Sequence, residues 1–306
     1  MTAAGVRLGP ADVLSAAERI APHVRRTPLL RSAALPGLLF KAEHLQRSGS
    51  FKLRGAANAM LALGAREIVT GSSGNHGIAV AALSRTLGVR VTVVMAAGAS
   101  EAKEHAIRRL GGQVVRVPGG VAERERCAQE LAVRTGAEFI PSSDHELVVA
   151  GQGTVGLEIL QDAPETDTIY VPAGGGGLLA GVCLAAARLP GPVRIVGVEP
   201  DRVPRYARSI AAGRPVELPP CDTVADGLRG QRPGEVTFPI VRRRVDALIA
   251  VSDEAVVRAM ELLRRAGIEA EPSGSVALAG ALQTEATGTA AVIVSGGNTT
   301  AALAAH

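Results

Sequence analysis

The sequence predicts an α/β protein in which helices cover a parallel sheet. Of the 306 residues, 47% are hydrophobic but only 2% are aromatic, so the core must consist of Ala, Val, Leu and Ile. That mixture suits strands that are buried on both faces, as they are in parallel sheets. Short apolar runs also alternate with helical stretches, and residues 67–140 alone contain four such runs. This alternation indicates βαβ units.

Each element is predicted from its own pattern. Residues 10–21 form a helix because Val13, Leu14, Ala17 and Ile20 share one face at helical spacing. Further helices are predicted at residues 51–62, 78–87, 100–110, 122–135, 149–160, 178–189, 253–266 and 275–284. Strands are predicted at residues 38–41, 67–70, 91–95, 114–117, 138–140, 168–172, 194–198, 247–251 and 291–294. The Pro-rich residues 213–220 and 229–239 are predicted to be surface connections.

Composition and charge exclude several classes of function. The net charge is only +4, the arginines are scattered, and the single basic run, residues 242–244, has no aromatic neighbours for base stacking. Cys127, Cys183 and Cys221 are far apart and form no disulfide or metal-binding pattern. No signal segment is visible and no apolar run approaches the ~18 residues of a membrane span. We therefore expect a cytoplasmic protein with no nucleic-acid or membrane partner.

Lysine is rare, and one lysine lies in an unusual place. Of the 33 Lys and Arg residues, only Lys41, Lys52 and Lys103 are lysine. Lys52 lies between Gly49 and Gly55 at the start of a predicted helix, with Ser50 as the expected N-cap. The positive end of the helix lowers a lysine pKa, and a neutral amine is a nucleophile. The alternative is a solvated lysine at a helix N-terminus.

Two glycine-rich turns follow predicted strands and precede predicted helices. Residues 71–77 read Gly-Ser-Ser-Gly-Asn-His-Gly, and residues 174–177 are four glycines. Such turns let backbone N–H groups converge on an anion, which can be a carboxylate or a phosphate. The first could also be an ordinary βα turn. The second contains a loose dinucleotide fingerprint, Gly175-x-Gly177-x-x-Ala180 with Glu199 downstream, so a nicotinamide dehydrogenase is a competing hypothesis.

Residues 46–56, 72–77 and 174–177 together resemble motifs of fold-type II pyridoxal-phosphate enzymes of the threonine dehydratase and serine racemase family. The resemblance extends from residues 25–29 to 295–298. It implies two open, twisted, mostly parallel sheets flanked by helices, with pyridoxal 5′-phosphate in the cleft between domains. A large domain would comprise residues 1–66 and 144–306, and a small mobile domain residues 67–143. Closure of the small domain would exclude water from the cleft.

The resemblance also implies a role for each matched residue. Lys52 would hold the cofactor covalently and later move the Cα proton, and Ser73 is the second candidate catalytic residue. The residues implied to bind or line the cofactor are Phe51, Lys52, Asn75, Gly174, Gly175, Gly176, Gly177, Leu178, Gly227, Glu271 and Ser295. Asn75 would bond the ring hydroxyl, and Ser295 would face the ring nitrogen. The residues implied to cradle the substrate carboxylate are Ser72, Ser73, Asn75 and His76.

The implied reaction is the dehydration and deamination of a β-hydroxy amino acid, such as L-threonine or L-serine, to a 2-oxo acid and ammonia. Racemisation of serine, with Ser73 reprotonating the opposite face, stays open, as does dehydration of threo-3-hydroxyaspartate. A non-catalytic amino-acid-binding relative is disfavoured by the intact Lys52 and Ser295. A homodimer is expected from relatives.

The resemblance also implies a divalent-cation site in metal-dependent members, formed by a Glu and a later acidic residue. Glu199 matches the first of these, but Arg205 stands where the second acidic residue is expected. An arginine would repel a divalent ion, so we predict that this metal site is lost or that the guanidinium replaces the ion. Because the chain ends at residue 306, we expect no regulatory domain and no feedback inhibition by isoleucine.

Overall fold

A computed structural model describes residues 8–187, 193–284 and 288–304, so the end of the predicted helix 178–189 lies outside the described residues. The strands are β1 Leu29–Arg31, β2 Leu38–Ala42, β3 Glu67–Gly71, β4 Arg90–Ala96, β5 Gln113–Val117, β6 Glu138–Phe139, β7 Thr166–Pro172, β8 Arg194–Pro200, β9 Ala247–Val251 and β10 Thr289–Val294. The α-helices are α1 Pro10–Ile20, α2 Lys52–Leu63, α3 Asn75–Leu87, α4 Glu101–Arg109, α5 Val121–Thr135, α6 Glu146–Asp162, α7 Gly177–Ala186, α8 Arg205–Ala212, α9 Thr237–Arg244, α10 Asp253–Arg265, α11 Pro272–Ala281 and α12 Thr300–Ala304.

The strands form two sheets, which confirms the predicted α/β class. The larger sheet has six strands in the order β1-β2-β10-β7-β8-β9, and only the β1–β2 pair is antiparallel. The smaller sheet has four parallel strands in the order β5-β4-β3-β6. Its strands come from residues 67–139, inside the segment expected to form the small domain.

Three helices approach one another closely behind the candidate site. In α6, a Cβ on Gly153 would lie 2.7 Å from the carbonyl oxygen of Gly181 in α7. A Cβ on Gly151 would lie 2.6 Å from the carbonyl oxygen of Arg54 in α2. Glycine is required at both positions because any side chain would force the backbones apart. The close packing therefore sets the distance between the start of α2, which carries Lys52, and the start of α7.

The structure corrects several details of the prediction. Helix α2 begins at Lys52 with Phe51 as its capping residue, so Ser50 is not the N-cap, and the Ser50 hydroxyl is buried without a hydrogen-bond partner among the described residues. Helix α9 begins inside the segment predicted to be a surface connection, and Thr237 and Phe238 are buried. No described helix has both the length and the apolar character needed to cross a membrane.

Candidate active site

The loop before Lys52 is joined to the loop that follows β10. Ser50 and Gly296 form an antiparallel bridge. The Phe51 N–H donates to the Ser295 carbonyl at 3.1 Å, and the Gly297 N–H donates to the Gly49 carbonyl at 2.9 Å. Two segments that are distant in the chain therefore hold one another in place. They follow β2 and β10, which are neighbouring strands of the larger sheet.

Asn298 extends this junction to the smaller sheet. Its side-chain amide donates to the Ser48 carbonyl and to the Asn75 side-chain oxygen, both at 2.9 Å. Gly49 has a φ of +71°, and a Cβ there would overlap the Asn298 side chain. Glycine at this position is therefore required twice, for its backbone conformation and for the approach of Asn298.

The Lys52 amine is half-buried and has no carboxylate bonded to it in the described structure. Its Nζ donates to the Ser142 carbonyl at 2.6 Å and lies 5.0 Å from the centroid of the Phe51 ring. Burial lowers the pKa of Lys52 to about 8, the Arg124 charge acting in the same direction and Glu125 opposing the shift. An amine with this pKa is neutral in an appreciable fraction of molecules near neutral pH.

The tetraglycine turn packs against Tyr206 and Ser143. A Cβ on Gly176, whose φ is +93°, would overlap the Tyr206 hydroxyl, and a Cβ on Gly177 would lie 3.0 Å from the Ser143 carbonyl oxygen. A Cβ on Gly175 would overlap the Ser143 side chain. Helix α7 begins at Gly177, so the N–H groups of its first turn, including that of the buried Leu178, have no intrahelical partner. A side chain at Gly175, Gly176 or Gly177 would therefore collide with Tyr206 or Ser143, and glycine keeps the N–H groups of the turn accessible to an anion.

The loop between β3 and α3 forms the second anion-binding turn. The Ser72 hydroxyl accepts from the Gly74 N–H at 3.3 Å, and the Ser73 hydroxyl accepts from the Ala96 N–H at 3.0 Å. Helix α3 then begins at Asn75. The N–H groups at this helix start and the two anchored hydroxyls suit a carboxylate.

His76 lies deeper than its neighbours in this loop. It is 1% exposed, and its Nε2 lies 3.2 Å from the Ile140 carbonyl oxygen. Burial, followed by the Lys52 charge, lowers the pKa of His76 to about 3, so the ring is neutral. Its side chain supports the loop, and its backbone N–H is the group that belongs to the helix start.

Two buried polar residues, Glu271 and Ser295, lie near Asn75 at the end of this loop. The Asn75 amide donates to the Glu271 carboxylate. Burial raises the pKa of Glu271 to about 7, although Lys103 opposes the shift. The Ser295 hydroxyl donates to the Ser273 carbonyl at 3.3 Å. The hydroxyl of the same Ser273 accepts from the Gly227 N–H at 2.9 Å.

Sequence reasoning missed four charged residues near the site, two that act on Lys52 and two that act on Glu271. Arg124 and Glu125, on α5, influence the pKa of Lys52, and α5 packs on β3 at Gly71. Lys103, on α4, forms an ion pair with Asp226 of the other sheet's domain. The run of alternating charges at residues 123–126 looks like a solvated helix face, and only the contact with Gly71 shows which of its members are turned inward. Lys103 could have been found from the scarcity of lysine.

Glu199 and Arg205 lie behind the tetraglycine turn. Both oxygens of the Glu199 carboxylate accept backbone N–H groups, from Tyr206 at 2.8 Å and from Ala207 at 3.0 Å. The carboxylate is therefore occupied and is not free to bind a ribose, as a nicotinamide dehydrogenase would require. Within the described ranges, no group of three or more His, Cys, Asp and Glu is arranged to hold a metal ion.

Comparison with known proteins decides between the remaining families. Residues 20–296 match the sequence pattern of a family described as pyridoxal-phosphate dependent enzyme. The chain belongs to this family. It is 39% identical to a serine racemase of Oryza sativa subsp. indica over 94% of this chain and 90% of the relative. It is also 39% identical to an L-threo-3-hydroxyaspartate ammonia-lyase of Saccharomyces cerevisiae, covering 94% of this chain and 92% of that relative.

The fold agrees with that of solved relatives. A threonine deaminase from T.th. superposes with a TM-score of 0.90 and 42% identity, covering 94% of this chain and 98% of that one. A maize serine racemase gives a TM-score of 0.91 and 38% identity, covering 95% and 94% of the two chains. These relatives confirm the fold-type II assignment and pyridoxal phosphate as the cofactor.

The residues present fit this cofactor. The Lys52 amine has a lowered pKa, the anion-binding turn leaves no room for a Cβ at Gly175, Gly176 or Gly177, and the buried Ser50 hydroxyl has no partner among the described residues. The amine and the turn contact the neighbouring residues Ser142 and Ser143. Lys52 would hold the aldehyde carbon, the tetraglycine turn the phosphate, and Ser295 the ring nitrogen. Phe51, packed at the edge of the core beside Lys52, would contact the ring.

Proposed function

We propose that the protein dehydrates and deaminates a β-hydroxy amino acid, with L-serine and L-threonine as the leading substrates. The observation that carries the proposal is the Lys52 amine. Its pKa is about 8 and its hydrogen bond goes to a carbonyl, so it can form a covalent bond and transfer protons. The relatives named ammonia-lyase and deaminase support the same class of reaction.

The bound cofactor supplies an electron sink for the pair left when the Cα–H bond breaks. Lys52, whose amine is neutral in an appreciable fraction of molecules near neutral pH, would take that proton. The Ser142 carbonyl, which accepts from Nζ, fixes the direction of the amine. Ser295 offers the ring nitrogen a neutral hydroxyl, which leaves the nitrogen largely unprotonated and suits elimination better than transamination.

The substrate carboxylate would bind at the start of α3. The backbone N–H groups of Asn75 and His76 are at the positive end of that helix, and the hydroxyls of Ser72 and Ser73 are anchored beside them. Binding there holds the substrate so that its Cα–H bond can be directed at Lys52.

Glu125 is the candidate donor for the departing hydroxyl. Burial raises the pKa of Glu125, which favours the protonated form of its carboxyl. The β-hydroxyl leaves as water when it takes the proton of that carboxyl. The released enamine then takes up water and gives a 2-oxo acid and ammonia.

Dehydration of L-threo-3-hydroxyaspartate is the second candidate, because Arg124 places a half-buried positive charge near Lys52. Its Nε has no hydrogen-bond partner among the described residues. A second substrate carboxylate would pair with this guanidinium. Serine racemisation would instead require Ser73 to exchange a proton on the face opposite Lys52.

A direct assay separates these activities. The purified protein with pyridoxal phosphate is given L-serine, L-threonine or L-threo-3-hydroxyaspartate, and the 2-oxo acid and D-serine are measured. Oxo acid from serine or threonine is the expected result. Preference for hydroxyaspartate that disappears in Arg124→Met would establish the second candidate. D-Serine without oxo acid, abolished in Ser73→Ala, would overturn dehydration in favour of racemisation.

The domain arrangement and assembly belong to the same proposal. Residues 67–143 would move as a small domain, and the Lys103–Asp226 ion pair, which joins the two domains, would hold the closed form. A cytoplasmic homodimer is the expected assembly, and the three cysteines, none of them in a disulfide, are consistent with a reducing compartment. Light scattering on a sizing column measures the number of subunits.

A further inference from the structure

Arg205, the first residue of α8, is among the largest fully buried side chains of the protein, with 0% exposure. Its Nη1 donates to the Ala173 carbonyl at 2.7 Å, and its Nη2 donates to the Leu228 carbonyl. Nε is buried without a hydrogen-bond partner among the described residues. Buried arginines are normally paired with carboxylates, as Arg54 is with Glu43 and Glu158, but these two bonds go to backbone carbonyls.

The two carbonyls flank the tetraglycine turn. Ala173 immediately precedes Gly174, and Leu228 immediately follows Gly227. A Cβ on Gly174 would lie 3.4 Å from the Gly227 carbonyl oxygen, so the two segments are in contact. One guanidinium therefore ties the strand end that leads into the phosphate-binding turn to the loop beside it.

The next residue along α8 holds the other side of the same turn. The Tyr206 hydroxyl donates to the Gly175 carbonyl at 3.2 Å. Thr237 donates to that carbonyl at 3.0 Å. Glu199 accepts the first N–H groups of α8 and so fixes the helix start that carries Arg205 and Tyr206. Behind the turn lie the Arg205 guanidinium, the carbonyls of Ala173 and Leu228, and the Glu199 carboxylate.

Oxygen ligands of this kind are what a hard divalent cation binds in proteins. A metal ion does not fit here, because the guanidinium already donates to both carbonyls and the Glu199 oxygens already accept two N–H groups. The positive charge of Arg205 would also repel a divalent ion.

We propose that Arg205 is a positioning residue that takes the place of a divalent cation and braces the phosphate-binding turn, so that cofactor binding is independent of metal ions. This bracing acts on the cofactor site and does not depend on which amino acid the enzyme uses.

The first test uses the unaltered full-length holoenzyme. Its melting temperature and the dissociation constant of pyridoxal phosphate are measured in EDTA, in MgCl2 and in CaCl2, and bound metal is determined by elemental analysis. The expected result is the same dissociation constant in all three solutions and no stoichiometric metal. A bound ion, or a cofactor affinity that EDTA weakens by about tenfold or more, would overturn the proposal.

The second test changes the charge. Arg205→Met is expected to weaken cofactor binding by about tenfold or more, since two charge-assisted hydrogen bonds are lost, and divalent ions should not restore it. Arg205→Asp adds a carboxylate beside Glu199 and is expected to regain affinity when MgCl2 or CaCl2 is added. A purely structural role would not give ion-dependent recovery.

Arg242→Met is the matched control. Arg242 is exposed, and its Nη1 donates at 2.9 Å to the carbonyl of Gly213, which is not part of the turn. Its loss should leave the cofactor affinity unchanged. Binding by Arg205→Met that equals that of the unaltered protein would contradict the proposal, and if that variant does not fold, the metal experiment on the holoenzyme still decides.

Discussion

Two residues apart on the same helix, Lys52 and Arg54 occupy opposite electrostatic surroundings. Arg54 belongs to a buried charge cluster. The cluster consists of the charged residues Lys41, Glu43, Arg54 and Glu158, together with Thr27, whose hydroxyl donates to Glu43. The Arg54 guanidinium lies 2.7 Å from Glu43 and 2.7 Å from Glu158, and the Lys41 amine lies 2.6 Å from Glu158. At Lys52, by contrast, the amine is bonded to a carbonyl and the charge that most affects it is that of Arg124.

The pKa values follow from these partners. Burial alone would lower the pKa of Arg54, but Glu43 and Glu158 raise it. Burial lowers the pKa of Lys41 as well, with Glu158 opposing. At Lys52 burial and Arg124 act together, and the pKa is about 8. Burial alone therefore does not make a lysine reactive; it must also lack a paired carboxylate.

The largest expected effect is on catalysis at Lys52. Lys52→Ala should lower kcat by about a thousandfold or more, because both the covalent anchor and the proton carrier are lost. Its melting temperature without cofactor should not fall below that of the unaltered protein, because the buried amine itself costs stability near neutral pH. Lys41→Ala should instead lower the melting temperature and leave kcat per folded molecule unchanged. A Lys52→Ala enzyme that keeps its kcat would refute the assignment.

The next largest effect is on stability in the charge cluster. Glu158→Gln should lower the free energy of unfolding by about 3–5 kcal/mol, because Lys41 and Arg54 lose a shared partner while remaining buried. Denaturant titration measures this, and kcat per folded molecule should be retained. The control is Glu165→Gln, whose exposed pair with Arg31 spans 3.7 Å and should contribute about 0.5 kcal/mol or less. Equal losses in the two variants would contradict this explanation.

Cofactor affinity distinguishes the tetraglycine turn from an ordinary glycine turn. Gly176→Ala should weaken pyridoxal-phosphate binding by about tenfold or more, because its Cβ would displace Tyr206 in addition to straining the backbone at φ +93°. Gly37→Ala is the control, because Gly37 has a φ of +82° but nothing within 4 Å of the added Cβ. It should cost about 1 kcal/mol of stability and leave cofactor binding unchanged.

The smallest effects are shifts in pH dependence. Cofactor capture needs the neutral amine, so its rate should rise with pH and level off above about 8, the pKa of Lys52. Arg124→Met removes a positive charge and should move the midpoint upward, whereas Glu125→Gln should move it downward. Each should change the rate at pH 7 by about tenfold or less. Arg126→Met is the control, because Arg126 is exposed on the same helix and its loss should leave the midpoint unchanged. Midpoint shifts of the same sign in Arg124→Met and Glu125→Gln would contradict the explanation.

The same pKa has a consequence for stability. An unfolded lysine has a pKa of about 10.4, so between pH 8 and that value the unfolded chain binds more protons at Lys52 than the folded chain does. Stability of the cofactor-free protein should therefore rise with pH across this window, and Lys52→Met should remove that part of the rise.

Local sequence signals were sufficient for much of the fold and the site. The β3–β6 strands were predictable because each is a short apolar run between helical stretches, and the tetraglycine turn because four consecutive glycines lie between a predicted strand and a predicted helix. Lys52 stood out through the scarcity of lysine. These signals lie within single segments, so no knowledge of distant contacts is needed.

The features that could not be predicted depend on distant contacts. Arg124 resembles the exposed Arg126 until α5 is packed on β3. The Glu43 and Glu158 carboxylates are far apart in the chain and meet only at Arg54. Strand β1 has three residues and exists because it pairs with β2. Ser50 has the chemistry of an N-cap, but its backbone is taken by the bridge to Gly296.

The lysine that carries the cofactor can be identified directly. The full-length holoenzyme is reduced with borohydride and digested, and the phosphopyridoxyl peptide is sequenced by mass spectrometry. With only Lys41, Lys52 and Lys103 available, the result is unambiguous. We predict the label on Lys52 alone. Label on Lys41 or Lys103, or a chain that remains unlabelled with pyridoxal phosphate in excess, would contradict the assignment of Lys52.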